Sequence, residues 1–418
     1  MYLSGSKWSM NRRRRRANPF RLVVLVLLVG AALYVNQVVV PATPPLFIPT
    51  PTPTRSPDSF ISEALSFAAE GKYRQAIEAY QKAIQADPRN INSYIEAARL
   101  QVFSGNYDGA VENAENALLL NPNHSLALAV RGWALGLRGD YQLALASLNS
   151  AIEKDPGNAL AYAYLAEVLA RQHLDGKGDL TTVEKATSAS RKALELNPNL
   201  MEAYRARGLV LEMTGNSAEA VAAFQQAVSM NDNLADLHLA LGRNYKAQDD
   251  YVNAIDQFNR AIALSPEDPE PYVETALTYL RTGEYAKAVQ YAQQAVQLKP
   301  NDPLLYGYLG TIYFRQQDYP NAVKPLRLAT RGGLTDEGVQ VQGLPLDDTT
   351  MYMYARFGIS LAYTAQCGEA LQISQALIQA FPADETNLGN ANEIIKICSE
   401  QAGGQTTPAQ TSQATPAP

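Results

Sequence analysis

A spacing of 34 residues recurs through most of this chain and constrains its fold more than any other feature. A proline, or once an aspartate, closes each period at Pro88, Pro122, Pro156, Pro198, Asp232, Pro266 and Pro300. Small residues keep the same register at Ala76, Ala110, Ala144, Ala186, Ala220, Ala254, Ala288, Ala322 and Ala370. A chain that holds such a register builds one small structural unit many times.

The skeleton of one period predicts a pair of helices. Positions spaced three, four and seven apart make one face of a helix, and here those positions are apolar or small. A Gly-x-Tyr segment, such as Gly105 to Tyr107, breaks the first helix before the second begins. The closing proline prevents the second helix from continuing. Each period is therefore expected to fold as a helical hairpin, and the chain as an all-α solenoid.

The pattern resembles the tetratricopeptide repeat, whose units carry small and aromatic residues in the first helix and Ala, an aromatic residue, Ala and Pro in the second. The fifth unit shows it in Tyr204, Gly208, Leu211, Ala220, Phe224 and Ala227. We count nine units, which begin near residues 57, 91, 125, 159, 201, 235, 269, 303 and 351. The solenoid is assigned to residues 58–400, with a cap helix at 390–401 and insertions at 173–182 and 338–350.

This resemblance implies a right-handed α-solenoid whose first helices line a concave groove that binds peptides or helices of partner proteins. Aromatic residues and arginines are the usual anchors of protein interfaces. At positions 2, 5, 6, 9, 12 and 13 of each unit we count eight basic and six acidic residues, which predicts a ligand with some negative charge. The candidates for peptide contact are Arg99, Trp133, Tyr164, Arg205, Arg243, Lys246, Tyr308, Phe314 and Tyr352. The alternative is that the aromatic residues pack between neighbouring units.

An apolar run near the N-terminus predicts a membrane helix at residues 22–40. As a helix, these 19 residues rise about 28 Å, close to the thickness of the hydrocarbon core of a bilayer. Five consecutive arginines at 12–16 precede the run. They predict a cytoplasmic N-terminus at 1–21 and the remaining chain on the other side of the membrane. The alternative is a cleaved signal peptide, because Val40 and Ala42 resemble a cleavage site.

Two polar segments flank the solenoid. Residues 41–57 contain seven prolines, so no helix or strand is expected there, and we predict an extended Pro/Thr-rich linker. Residues 401–418 are predicted to be a disordered tail. Together with the acidic body, the linker points to a bacterial cell-envelope protein, a conclusion that rests on composition alone.

Charge and motif content exclude several function classes. Residues 1–57 hold eight of the 35 basic residues and no acidic residue, so 27 basic residues face 41 acidic ones in the rest of the chain. A body this acidic would be repelled by nucleic acid. Two cysteines and three histidines do not predict a metal site, and no phosphate loop or nucleophile motif occurs. We expect no catalytic residue, no cofactor and no small-molecule substrate.

A second hypothesis is an accessory structural subunit of a cell-envelope machine for secretion, pili or wall synthesis, which would bind folded partners by its convex face.

Cys367 and Cys398 fall in the last unit and in the cap helix, where a repeat stack would bring them together. Outside the cytoplasm a disulfide is chemically permitted, and the alternative is two buried free thiols. In the insertion at 338–350, Val339 and Val341, then Leu344 and Leu346, alternate with other residues, which predicts a short extended flap. We expect that flap to cover the groove near Tyr308 and Tyr352.

Overall fold

The structure, a computed structural model, describes residues 18–39 and 55–404 of the 418-residue chain. The chain divides into two units at Ser56, and each is described by itself. The predicted basic N-terminus up to residue 17, most of the linker and the tail from residue 405 lie outside the described residues.

The first unit contains helix α1 (Pro19–Tyr34), which continues as a π-helical turn (Val35–Val39). Asn18 caps α1, because its side chain accepts a hydrogen bond from the Phe20 amide at 3.2 Å. Within the described residues, the span Pro19–Val38 is long and apolar enough to cross a membrane, with a mean hydropathy of 2.0. A signal sequence has the same length and composition, so these properties of α1 fit both a membrane anchor and a signal sequence.

The second unit consists of nine consecutive helical hairpins and a final helix, which confirms the predicted solenoid. The first helices of units 1 to 9 are α2 (Pro57–Ala69), α4 (Ile91–Phe103), α6 (Ser125–Arg138), α8 (Ala159–Leu174), α10 (Met201–Met213), α12 (Ala235–Ala247), α14 (Pro269–Thr282), α16 (Pro303–Arg315) and α18 (Met351–Tyr363). The second helices are α3 (Tyr73–Ala86), α5 (Tyr107–Leu120), α7 (Tyr141–Lys154), α9 (Leu180–Leu196), α11 (Ser217–Met230), α13 (Tyr251–Leu264), α15 (Tyr285–Leu298), α17 (Tyr319–Arg331) and α19 (Cys367–Ala380). The cap helix is α20 (Glu385–Gly404). It ends four residues beyond residue 400, where the solenoid was predicted to end.

The small residues of the repeat set the distance between the two helices of a hairpin. Ala144 is fully buried on α7. A Cβ atom added to Gly132 on α6 would lie 2.9 Å from the Ala144 carbonyl oxygen and 2.6 Å from Leu148 Cγ. The two backbones therefore approach as closely as glycine and alanine allow, and one larger residue would separate them.

The insertion after unit 8 forms a β-hairpin on a different face from the one we predicted. Strands β1 (Gly332–Leu334) and β2 (Gln340–Gln342) pair antiparallel, with Gly333 opposite Val341. Val341 is fully buried against Tyr306, Leu328 and Ala329. Tyr306 and Tyr308 are two residues apart on α16 and so point about 160° apart around that helix. The extended conformation was predicted correctly. Val341 packs on Leu328 and Ala329 of α17, so the hairpin lies on the face opposite Tyr308.

A disulfide joins Cys367 to Cys398 and ties the cap helix to unit 9. Their Cα atoms are 5.5 Å apart, and their sequence separation is 31. Cys398 is buried in the terminal core, beside Ile394 and Phe357.

We expect reduction of this disulfide to lower the free energy of unfolding of the terminal repeat by about 3 kcal/mol, because the unfolded segment loses its cross-link. Thermal unfolding of the full-length chain with and without reductant measures the loss. The Cys367→Ser/Cys398→Ser variant is the control, and reductant should not change its stability. Alkylation of both wild-type thiols without reduction would contradict the bond.

Candidate functional site

The concave face of units 1 to 5 is closed by contacts between units that are far apart in sequence. The Tyr73 hydroxyl of unit 1 donates a hydrogen bond to the Asn233 carbonyl at 3.4 Å, and the Asn233 side chain donates to the Ala69 carbonyl at 3.3 Å. Farther along, the Arg99 guanidinium of unit 2 lies 2.6 Å from the Glu202 carboxylate of unit 5. The solenoid therefore completes a turn within its first half and meets itself. We call units 1 to 5 the closed turn.

A row of aromatic rings fills the centre of the closed turn. Phe103 meets Trp133 edge to face at 5.2 Å, and Trp133 stacks on Tyr164 at 4.2 Å between ring centres. Trp133 and Tyr164 are both fully buried. The structure corrects the expectation that these two residues line an open groove: their rings are covered by their neighbours, as the alternative interpretation of the aromatic residues required.

The arginines of the closed turn are paired with carboxylates of the same chain. Arg205 contacts Glu167 at 3.0 Å and Asp236 at 2.6 Å. Its guanidinium also lies over the rings of Trp133 and Phe103, at 5.4 and 5.7 Å. Burial opposes the charge of Arg205, but Asp236 and Glu167 outweigh that effect and raise its pKa. Burial also raises the pKa of Glu167, which Arg205 partly offsets.

Several polar atoms at this centre are buried without a hydrogen-bond partner among the described residues. They are Trp133 Nε1, the Tyr164 hydroxyl, Arg99 Nε and Arg205 Nη1. Buried donors of this kind are normally satisfied by protein or ordered water. The centre therefore contains buried polar atoms as well as aromatic rings, and two arginines paired with carboxylates, Arg99 and Arg205, lie in it.

The contact between units 1 and 5 predicts a difference between two equivalent glycines. Gly71 and Gly105 occupy the same turn in units 1 and 2, with φ of +73° and +75°. A Cβ atom on Gly71 would lie 2.8 Å from Asn233 Cβ, whereas one on Gly105 would meet nothing within 4 Å. Both alanine substitutions cost about 1–2 kcal/mol for the left-handed conformation.

We expect Gly71→Ala to cost about 1–3 kcal/mol more than Gly105→Ala, because it also overpacks the contact that closes the turn. Thermal unfolding compares the two variants. Hydrogen exchange should show faster exchange of unit 1 and of residues 231–234 in Gly71→Ala alone. Equal stability of the two variants would mean that the contact does not hold the turn closed.

Units 6 and 7 present paired charges on the concave face. Arg243 contacts Glu212 at 2.9 Å and Glu270 at 3.2 Å, and Lys246 is paired with Glu274. Glu274 was absent from our set of groove residues, although it holds position 6 of unit 7, and Asp58 at position 2 of unit 1 was also absent. Their positions in the repeat register identify both residues as groove residues. With them the groove as a whole carries no basic excess.

Units 8 and 9 carry the remaining predicted contacts on partly exposed surface. Tyr308, Phe314 and Tyr352 are half-buried, and the hydroxyls of the two tyrosines donate no hydrogen bond to a described residue. The Arg356 guanidinium lies 4.6 Å above the Tyr352 ring and donates to the Thr311 hydroxyl at 3.0 Å. Arg315, one turn from Thr311, is exposed.

Cavities lie on both faces of the solenoid. One of about 860 Å³ lies where the closed turn faces unit 6 and the start of unit 7, and Arg171, Arg205 and Glu267 are among the residues that line it. Another of about 1110 Å³ lies between α7 and α9, where the insertion of unit 4 separates the second helices, and Lys177 and Lys185 line it. Among residues 18–39 and 55–404, no group of three or more His, Cys, Asp or Glu side chains is placed to hold a metal ion.

Known families and structures resemble this chain through its repeats. A tetratricopeptide repeat model matches residues 131–180, 183–236, 233–303 and 276–333, and a second tetratricopeptide repeat model matches residues 67–134. No curated protein matches the chain. Among solved structures, a tetratricopeptide repeat protein from Parabacteroides merdae is 18% identical, with 61% of this chain and 98% of that chain covered and a TM-score of 0.40. A thermophilic tetratricopeptide repeat protein of Thermus thermophilus is 24% identical, with 46% and 99% covered and a TM-score of 0.40.

Tetratricopeptide repeat proteins are in general non-catalytic scaffolds for protein–protein interaction. The matched segments span more than half of the sequence, and they fall on the helical hairpins of units 1 to 8. The chain belongs to the tetratricopeptide repeat family.

Proposed function

We propose that this protein is a membrane-anchored scaffold that binds a peptide or helix of a partner protein on the concave face of units 6 to 9. One observation carries the proposal. Trp133 and Tyr164 of the closed turn are fully buried by their neighbours, whereas Tyr308, Phe314 and Tyr352 keep exposed surface on the same face further along. A rigid array presents such a surface with little loss of entropy on binding.

Photo-crosslinking from single tyrosine positions tests this surface. A benzophenone amino acid replaces Tyr308 or Tyr352 in the full-length chain in its own cells. The matched control is Tyr162, which is also half-buried but lines the cavity between α7 and α9. We expect a discrete partner to crosslink from Tyr308 and Tyr352 and not from Tyr162. Crosslinking from Tyr162 alone would overturn the proposal.

The second candidate function is an accessory structural subunit of a cell-envelope machine that binds folded partners by the second helices. The cavity of about 1110 Å³ between α7 and α9 favours it, because a protruding element of a partner would fit there. In that case Tyr162 crosslinks a partner, and the concave variants do not affect it.

We propose that α1 anchors the protein with the solenoid outside the cytoplasm. The five arginines before α1, its apolar composition and the disulfide at the other end of the chain support this placement. The test uses the Cys367→Ser/Cys398→Ser background with one new cysteine and a maleimide that does not cross membranes. Leu119, which is 82% exposed, becomes the solenoid reporter, and Ser6 becomes the N-terminal reporter.

In intact cells or spheroplasts we expect labelling of Leu119→Cys and none of Ser6→Cys until lysis. The reverse pattern would place the solenoid in the cytoplasm. A mature chain that begins after residue 40 in N-terminal sequencing would show that α1 is a cleaved signal and not an anchor.

A further inference from the structure

The basic residues of the concave face fall into two classes. Arg99, Arg205, Arg243 and Lys246 each lie within ion-pair distance of one or two carboxylates on the same chain. Arg171, Arg281, Arg315 and Arg356 do not: among the described residues, no carboxylate lies within ion-pair distance of any of them. Of these four, Arg315 and Arg356 lie near each other on units 8 and 9. The positive charge of the first class is neutralised within the protein, and that of the second is available to a ligand.

The sequence of units 8 and 9 explains why these two arginines lack partners. The residues at the concave positions of the two units are Leu304, Gly307, Tyr308, Thr311, Phe314, Arg315, Tyr352, Ala355, Arg356, Ile359, Ala362 and Tyr363. None is acidic. The acidic residues of the preceding unit, Glu270 and Glu274, are already paired with Arg243 and Lys246. The lack of ion-pair partners for Arg315 and Arg356 therefore follows from the sequence of units 8 and 9 and not from one rotamer.

Arg356 is held in position without being neutralised. Its guanidinium donates to Thr311 on the neighbouring unit and lies over the Tyr352 ring, and these two contacts restrict it before any ligand arrives. Burial lowers the pKa of Arg356, and the nearby Arg315 acts in the same direction, although Tyr352 opposes both. Two arginines this near to each other repel, and an anion placed between them would relieve that repulsion.

Tyr308 and Tyr352 complete the surface with apolar rings and free hydroxyls. Burial raises the pKa of Tyr308 to about 12, so its hydroxyl stays protonated and can donate a hydrogen bond at neutral pH. Neither hydroxyl donates to a described residue. The surface thus offers two cations, two neutral donors and two aromatic rings, but no acceptor that carries a full negative charge.

We propose that Tyr308, Thr311, Arg315, Tyr352 and Arg356 form a binding surface for an acidic peptide segment of a partner protein. Carboxylates of the segment pair with Arg315 and Arg356, and an apolar side chain of the same segment packs on the two tyrosine rings. An acidic peptide fits better than nucleic acid, because two arginines neutralise two carboxylates, whereas the acidic remainder of the solenoid repels a long polyphosphate chain. This inference rests on the proposed function and specifies the chemistry of its partner.

The test selects peptides from a random display library on immobilised full-length protein in detergent. Three proteins are compared: wild type, Arg315→Glu/Arg356→Glu, and the control Arg89→Glu/Arg191→Glu. The control makes the same change in net charge at two exposed arginines of other units that have no ion pair among the described residues. We expect wild type and control to select peptides rich in Asp and Glu. Those peptides should bind the Arg315→Glu/Arg356→Glu variant about tenfold more weakly or worse, as expected for the loss of charge-assisted hydrogen bonds.

The other outcomes show whether this inference fails alone or together with the proposed function. Peptides without acidic enrichment that still need Tyr308 and Tyr352 would overturn the inference and leave the proposed function intact. Acidic peptides that bind the Arg315→Glu/Arg356→Glu variant and the control equally well would also overturn it. Failure to select any peptide would count against both. A fluorescent single-stranded oligonucleotide bound by wild type and released by the Arg315→Glu/Arg356→Glu variant would show a nucleic-acid site instead.

Discussion

Replacing Ala144 by arginine is expected to lower the free energy of unfolding by about 4 kcal/mol or more. Ala144 has no exposed surface, and its carbonyl oxygen already lies where a Cβ atom on Gly132 would collide. The new side chain would have to separate α6 from α7, or carry its charge into a core that offers it no carboxylate. Far-UV circular dichroism during denaturant unfolding measures the total loss.

The adjacent residue supplies the control. Leu143 lies one position earlier on the same helix and is 55% exposed. Leu143→Arg introduces the same side chain outside the core, so it should change stability by only about 0.5 kcal/mol. Hydrogen exchange should locate the damage from Ala144→Arg in α6 and α7 and in the units next to them, because each repeat contacts mainly its neighbours. Wild-type stability of Ala144→Arg would contradict the assigned register.

The helical hairpins could be predicted from the sequence because their determinants are local and repeated. The same small residues face each other in every hairpin, so the Gly132–Ala144 approach is one instance of a pattern visible nine times. The register also identifies which positions face the concave side. Glu274 and Asp58 were missed although their positions in the register assign them to that side, and no additional information was needed to find them.

The closed turn could not be predicted in the same way. Its contacts join residues as far apart as Ala69 and Asn233, and they depend on a small rotation between neighbouring units that accumulates over five repeats. No motif near Asn233 reports that rotation. Trp133 and Tyr164 were therefore assigned to an open groove, whereas rings of adjacent units stack on them and Arg205 of unit 5 lies over Trp133. The face on which the β-hairpin lies could not be predicted for a related reason. The alternation of apolar residues predicts an extended backbone but does not show which helix that backbone packs against.

Arg205→Ala is expected to destabilise the closed turn by about 3–5 kcal/mol, because it leaves a buried carboxylate without its partner. Glu167 is almost fully buried, and Arg205 is its ion-pair partner at 3.0 Å. Asp236 is more exposed, so water screens much of its share of the loss. The variant also removes the cation from the faces of Phe103 and Trp133. Thermal unfolding of the full-length protein measures the effect.

A neighbouring arginine on the same helix provides the comparison. Arg207 lies 3.7 Å from the exposed carboxylate of Glu219, so Arg207→Ala should cost about 0.5 kcal/mol or less. If both variants lost the same stability, the charges at the centre of the closed turn would contribute no more than a surface pair.

The pH dependence of Arg205→Ala distinguishes an uncompensated carboxylate from a simple cavity. Burial already raises the pKa of Glu167 in the folded protein, and loss of Arg205 removes the charge that opposes this shift. A group whose folded pKa lies above its unfolded value binds a proton more tightly when folded, so stability falls as the pH rises through that interval. The deficit of Arg205→Ala relative to wild type should therefore be smallest near the ordinary pKa of a glutamate and grow toward neutral pH. A cavity alone would give a deficit that does not change with pH, and Arg205 would then act through its contacts with the aromatic rings and not through its charge.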